Sequence, residues 1–393
     1  MSELRNQDII CISSIDWEPI WTRKQQVLSR LHSSNRILYV EPPATFISPF
    51  KDPSFWRKWR PWGRGAGRPQ PNVYVFQPPF VIPFGNLRPA IGRLNQYWLA
   101  FWVRRALKKL GMKRPILWTY LPATAVIARH ITHRLLVYDC VDEHGAYKGL
   151  VNQRAVWEME KELLARTDIT FVTAPGLYKR RKEHTRRIYL LPNAADVAHF
   201  GRACDPRTPV PEEIDRLPRP RLCFVGVIQE WVDTGLLAYL ARSRPEWSIV
   251  LIGPVSPGVD LNGLDRMPNV FFLGRKPKEV LPEYLKGCDV CLNTFRASAL
   301  TEDVSPLKFY EYLASGRPVV STDMPAVREF SDVVEVARDQ AGFVDAVEKT
   351  LAGENPERQE KRLARAREHS WEARVAFIEE KILLALREKG VDL

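Results

Sequence analysis

No run of 18 apolar residues occurs in the 393-residue chain. Its most aromatic stretch, Tyr97-Trp-Leu-Ala-Phe-Trp-Val, is far shorter than the roughly 20 residues a membrane-spanning helix needs. The amino-terminal Met-Ser-Glu-Leu-Arg-Asn-Gln-Asp lacks an apolar signal region. The expectation is a cytoplasmic protein, soluble or peripheral to the inner face of the plasma membrane. Cysteine is also scarce. Six are present, and Cys288 and Cys291 form a lone C-x-x-C without a second pair or a nearby His cluster. Buried free thiols in a reducing compartment are expected, not zinc and not a disulfide. Acids are missing altogether from Pro53 to Leu136, a stretch with 15 Lys/Arg and six Trp. Finally, Asp139-Cys-Val-Asp142 lacks the Asp-any-Asp spacing of metal-dependent sugar transferases, so no metal is expected.

What remains is a globular composition, 45% hydrophobic and 26% charged, long enough for two domains. Residues 1–200 hold 31 Lys/Arg against 15 Asp/Glu, a net of +16; residues 201–393 hold 27 against 31, a net of −4. The first half alternates short apolar strands (Asp8-Ile-Ile-Cys-Ile, Arg36-Ile-Leu-Tyr-Val, Pro115-Ile-Leu-Trp, Arg134-Leu-Leu-Val-Tyr, Ile169-Thr-Phe-Val) with helices near 22–31 and 157–166. That alternation predicts a doubly wound parallel sheet. Five prolines between 201 and 221 read as an interdomain linker. The strand–helix pattern then restarts at Arg221-Leu-Cys-Phe-Val-Gly. The fold class is therefore α/β with two Rossmann-like halves. The predicted domains are 1–200 and 201–371, with a helix at 372–393 packing back on the first.

The most specific stretch is Asp303-Val-Ser-Pro-Leu-Lys-Phe-Tyr-Glu-Tyr-Leu-Ala-Ser-Gly-Arg-Pro-Val-Val-Ser-Thr. Ser305 suits an N-cap and Pro306 the first helical position, and Leu307 opens the helical spacing. Gly316 ends the helix before a buried strand. A helix start presents free backbone N–H groups and positive partial charge to phosphate. Lys308 adds a full charge, and Glu311 lies where a carboxylate can accept hydrogen bonds from a ribose diol. Together these predict a nucleotide-sugar site.

The same stretch resembles the donor signature of GT-B glycosyltransferases, especially the family 4 type, in which two acids are separated by seven residues. Here the pair is Asp303 and Glu311, with Asp where Glu is usual and Glu302 beside it. The resemblance implies that Glu311 holds the ribose and Asp303 touches the donor sugar. It also implies two facing domains with a cleft between them. Leu190-Leu-Pro-Asn-Ala-Ala-Asp matches the family's Pro-Asn-Gly segment, with Ala194 where Gly is usual. Family members often carry Arg and Lys after the Gly that opens the second domain. Gly226 is followed by neither, so Arg296, Arg275 and Lys276 are the expected substitutes beside Lys308. Val137-Tyr-Asp-Cys-Val-Asp-Glu resembles a bacterial subgroup that assembles surface polysaccharides.

Ligands bind outside the carboxyl ends of parallel strands. Asp139, Asp142 and Asp16 fall there in the first half and are the candidate catalytic acids, for the acceptor hydroxyl proton or its orientation. His144 is a further candidate for the donor sugar. The basic aromatic block suggests a membrane face: Trp56, Arg57 and Trp59, then a helix at 93–110 carrying Trp98, Trp102, Arg104 and Arg105. Aromatic rings and cations both favour an anionic lipid surface. The predicted partners are a nucleotide-sugar donor, a lipid-linked acceptor and an anionic membrane, with no cofactor and no nucleic acid. Two other readings stay open at this level: a nucleotide-sugar epimerase of the same fold, and a basic nucleic-acid-binding protein.

Overall fold

The computed structural model describes residues 4–19, 21–51, 67–85, 87–145, 152–296, 298 and 301–390. Trp56, Arg57 and Trp59 lie outside the described residues. The chain divides into two units, residues 1–192 with 374–393, and residues 193–373.

In the first unit, eight strands form one sheet: β1 (Asp8–Ile12), β2 (Arg36–Val40), β3 (Gly67–Gln70), β4 (Val73–Phe76), β5 (Ile116–Thr119), β6 (Leu135–Cys140), β7 (Ile169–Val172) and β8 (Ile188–Leu190). Their order is β3-β4-β2-β1-β5-β6-β7-β8, and every pair is parallel except β3–β4. The central strands are almost wholly apolar because helices cover both faces, so no alternation is needed. The order reverses between β1 and β5, which opens a crevice at the carboxyl ends of these strands. Val375, Ile378, Ile382 and Leu386 from the carboxyl-terminal segment are buried. Arg187 pairs with Glu388, and Lys389 pairs with Asp168.

The second unit has six parallel strands: β9 (Arg221–Val225), β10 (Ser248–Ile252), β11 (Val270–Phe272), β12 (Val290–Asn293), β13 (Val319–Thr322) and β14 (Glu335–Ala337). Their order is β11-β10-β9-β12-β13-β14, with the switch between β9 and β12. Gly226 and Gly253 end β9 and β10 at φ +154° and +151°. A Cβ on Gly253 would stand 1.9 Å from the Gly226 carbonyl oxygen, so two backbones touch where a ligand would approach.

Two expectations are corrected here. The proline-rich stretch 201–221 is not a linker. Phe200, Ala203, Ile214 and Leu217 are buried in the second unit's core. Residues 374–393 group with the first unit. Nor are all six cysteines thiols: Cys223 at β9 and Cys288 before β12 form a disulfide, with Cα atoms 5.9 Å apart. Parallel strands β9 and β12 are hydrogen-bonded neighbours, and that pairing brings together two cysteines 65 residues apart.

Candidate active site

The signature helix runs from Leu307 to Ala314. Pro306, not Ser305, is the residue that caps it, and no side chain accepts at the cap. The expected N-cap role of Ser305 is therefore corrected. Its hydroxyl accepts from the Asn193 backbone N–H at 3.1 Å and donates to the Tyr310 hydroxyl at 3.2 Å. The Asn193 side-chain amide donates to the Ser305 carbonyl at 2.7 Å. Ser305 is thus spent on fixing the approach to the helix, which leaves the first backbone N–H groups uncapped for a ligand.

One turn inside, Lys308 Nζ meets Glu311 Oε2 at 2.6 Å. Glu311 is only about 5% exposed, while Lys308 is half-buried. The pair satisfies both charges and holds them on one face of the helix start. Tyr312 ties the helix to the β9 end: its hydroxyl accepts from the Val225 N–H at 2.8 Å and donates to the Val225 carbonyl at 3.2 Å. Burial pushes that phenol well above its ordinary pKa, so it stays protonated. Gly226 follows directly. Tyr312, near the carboxyl end of the helix, thus anchors it at the last residue of β9, next to the close-approach glycine.

Other expected donor residues are placed less simply. Asp303 is buried just before the helix. Arg296 reaches back to the Val232 carbonyl and the Thr234 hydroxyl, both at 3.2 Å, and braces the loop after β12. Arg275 is exposed after β11, two strands from β9, or roughly 10 Å by strand spacing. Lys276 is paired with Glu213 at 2.5 Å. Asp233 caps the next helix, accepting from the Leu236 N–H at 2.9 Å. A cavity of about 730 Å³ opens at the carboxyl ends of β12 to β14, lined by Asp233, Phe295, Thr301, Thr322 and Arg338 among others. Neither Glu311 nor Lys308 lines it, so it marks a neighbouring space and not the signature pocket.

In the first unit the acids separate by environment. Asp139 has no solvent exposure, and both its oxygens accept from Arg23 Nε, at 3.1 and 2.9 Å. Arg23 also donates to the Leu191 and Pro192 carbonyls. Asp139, expected as a catalytic acid, is thus placed as the buried partner of Arg23. Asp142, two residues beyond β6, is different. Burial raises its pKa to about 6, against the opposing pull of Lys24. A carboxylate that titrates near neutral pH suits proton transfer. Asp16 is half-buried after β1, and its carbonyl accepts from Gln25 at 2.9 Å.

The loop bearing Asp142 is clamped. Burial works against the Glu143 charge, but Arg181 and Arg180 outweigh it and hold the carboxyl below its ordinary pKa. Arg181, fully buried, also pairs with Glu160 at 2.8 Å, and Glu160 accepts from the Tyr138 hydroxyl at 2.6 Å. His144 is kept neutral by burial, and its Nε2 has no partner among the described residues. Sequence reasoning missed Lys24, Asn193 and Tyr312. Lys24 sits in the first helix (Arg23–Leu28) and is almost fully buried, with the Tyr120 ring 4.8 Å away. The polar run Arg23-Lys-Gln-Gln carries no sign that all four side chains are interior. Asn193 was visible only as part of the Pro-Asn segment.

Residues 219–378 match the family model of glycosyl transferases group 1. The putative teichuronic acid biosynthesis glycosyltransferase TuaH of Bacillus subtilis is 26% identical over 279 residues, covering 66% of this chain and 69% of that one. Sucrose-phosphate synthase from Thermosynechococcus elongatus superposes with a TM-score of 0.69 at 15% identity, covering 97% of this chain and 100% of that chain. The Anabaena protein HepE in complex with UDP-glucose gives 0.66 at 12% identity, covering 95% and 99%. At such identities the two structures speak for the fold alone.

Proposed function

We propose a substrate class for this chain, which is a glycosyltransferase of GT-B architecture with a group 1 donor domain. It moves a sugar from a nucleoside-diphosphate sugar to a lipid-linked acceptor at an anionic membrane surface, in the assembly of a surface polysaccharide. The observation that carries the donor side is the uncapped start of the Leu307–Ala314 helix, with Lys308 and Glu311 paired one turn inside. On this reading the diphosphate takes the helix N–H groups and Lys308, which frees Glu311 for the ribose diol. The polysaccharide role in the name of TuaH supports the product class.

Asp142 handles the acceptor hydroxyl. In an inverting reaction it takes the proton; in a retaining one the donor phosphate takes it and Asp142 orients the hydroxyl. Helix dipole and Lys308 together offset the charge of the leaving diphosphate, so we expect turnover to persist in EDTA. Complete loss on chelation, restored by Mg²⁺, would reject that part. The donor assignment is tested by thermal-shift screening of nucleotide sugars. One of them should raise the Tm of the wild type, and Glu311→Gln should weaken its binding by about 10–100-fold. An unchanged shift in that variant would place the nucleotide elsewhere. Product analysis without acceptor separates transfer from epimerisation.

A further inference from the structure

We propose that the first unit docks on anionic bilayers by inserting an apolar ridge, not by charge alone. The ridge is built on the helix Pro89–Lys109, which is about 30 Å long. This helix is apolar on two opposite faces. Leu99, Ala100, Val103 and Leu107 are buried in the unit's core. Leu94, Tyr97, Trp98 and Phe101 recur at three- and four-residue spacing on the other side and are between 41 and 55% exposed. The sequence grouped these aromatic residues on one side of the helix; the structure shows that the side faces outward. Arg105 and Lys108 continue the same stripe, and both are exposed.

A second segment extends the ridge. Asn95 on the helix accepts from the Ile82 N–H at 3.0 Å and donates to its carbonyl at 2.8 Å, fastening the 82–85 segment to the helix start. Gly85 and Gly92 touch so closely that a Cβ on Gly92 would lie 2.7 Å from the Gly85 oxygen. At the tip, Phe84 has φ +64° and is 57% exposed. A bulky residue in that region is strained, and here the strain holds an aromatic ring out in water. Phe46, exposed as well, is joined to this turn through its N–H to the Val81 carbonyl.

A lone exposed apolar side chain is ordinary; a continuous row of this size marks an interaction surface. Charge decides the partner. Arg88, Arg93, Arg104, Arg105, Lys108 and Lys109 are exposed around the row, and the sequence has no acid from Pro53 to Leu136. An aromatic ridge set in a cationic border fits the interfacial layer of an anionic bilayer, where rings sit at headgroup level and cations meet phosphate. The inference deepens the membrane side of the proposed function and rests on that reading only for the acceptor.

Flotation with phosphatidylglycerol-rich vesicles tests it, at about 0.1 M and about 1 M salt, where screening lengths are roughly 10 and 3 Å. Wild-type protein should float in both and retain part of its binding at high salt. Leu94→Ser/Trp98→Ser/Phe101→Ser, and separately Phe84→Ser, should lower binding several-fold at both. Arg104→Gln/Arg105→Gln/Lys108→Gln should lower it mainly at low salt. Equal Tm values and an intact nucleotide-sugar shift show that the variants are folded. Wild-type levels of flotation in both serine variants, or complete release of the wild type at high salt, would mean adsorption by charge alone and overturn the ridge. A wild-type dimer that the serine variants abolish, without vesicle binding, would assign the face to a second copy of the chain and overturn it too. A nucleotide-sugar shift without flotation leaves the transferase reading standing and removes the docking; flotation without any such shift does the reverse.

Discussion

Asp139 and Asp142 stand three residues apart and have opposite fates. One is enclosed against Arg23, and the other is pushed to about 6 by burial. Asp142→Asn should lower kcat/KM by about 10²–10⁴-fold if the residue takes the proton. Linkage gives a second readout. The folded pKa of Asp142 lies above its unfolded value, so its contribution to stability is fully present below the unfolded value and is lost as pH rises through about 6. At pH 7.5 the Asn variant should therefore melt higher than the wild type while turning over poorly. Lys24 pulls the Asp142 pKa down, so Lys24→Met should move the acidic limb of the pH–rate profile upward, whereas Lys24→Arg restores it. A limb that stays in place in Lys24→Met would show that the two charges do not communicate.

At the scale of elements, the signature helix depends on what holds its two ends. Asn193 supplies two hydrogen bonds to Ser305, just ahead of the helix start. Asn193→Ala removes the side-chain bond and should cost about 1–2 kcal/mol of stability. It should also weaken nucleotide-sugar binding, because the helix start is no longer fixed. Unchanged donor affinity would show that this tether serves the fold only. At the other end Gly316 has φ +69°, and a Cβ there would come within 2.7 Å of Cys204 Sγ. Gly316→Ala is expected to lower the Tm by both strain and crowding, and urea unfolding checks this through a lower midpoint at unchanged slope.

At the scale of the whole molecule, the chain returns to its first unit after finishing its second. The segment from Arg374 buries Val375, Ile378, Ile382 and Leu386, and adds the Arg187–Glu388 and Lys389–Asp168 pairs. Truncation after Ala373 should expose an apolar stripe of the first unit and leave a protein that aggregates or loses the cooperative melting of that unit. Differential scanning calorimetry would show it; an unaltered thermogram would mean that the segment is dispensable.

The sequence by itself determined the α/β class, the two repeated halves and the helix at Leu307–Ala314. These follow from short-range physics: apolar runs of strand length, a Pro–Lys–Glu–Gly grammar around one helix, and a residue pair at fixed helical spacing. Tertiary structure alone decided the rest, because burial depends on neighbours far along the chain. Cys223 and Cys288 looked like separate thiols until β9 and β12 became neighbours. Asp139 looked like a loop acid until Arg23, 116 residues away, closed on it. Ser305 looked like a cap until Asn193 claimed its hydroxyl. The row from Leu94 to Phe101 had the spacing of a shared face, and the burial of Leu99 and Val103 on the opposite side shows that this face meets solvent. Periodicity tells which residues share a face; what covers that face is a property of the fold.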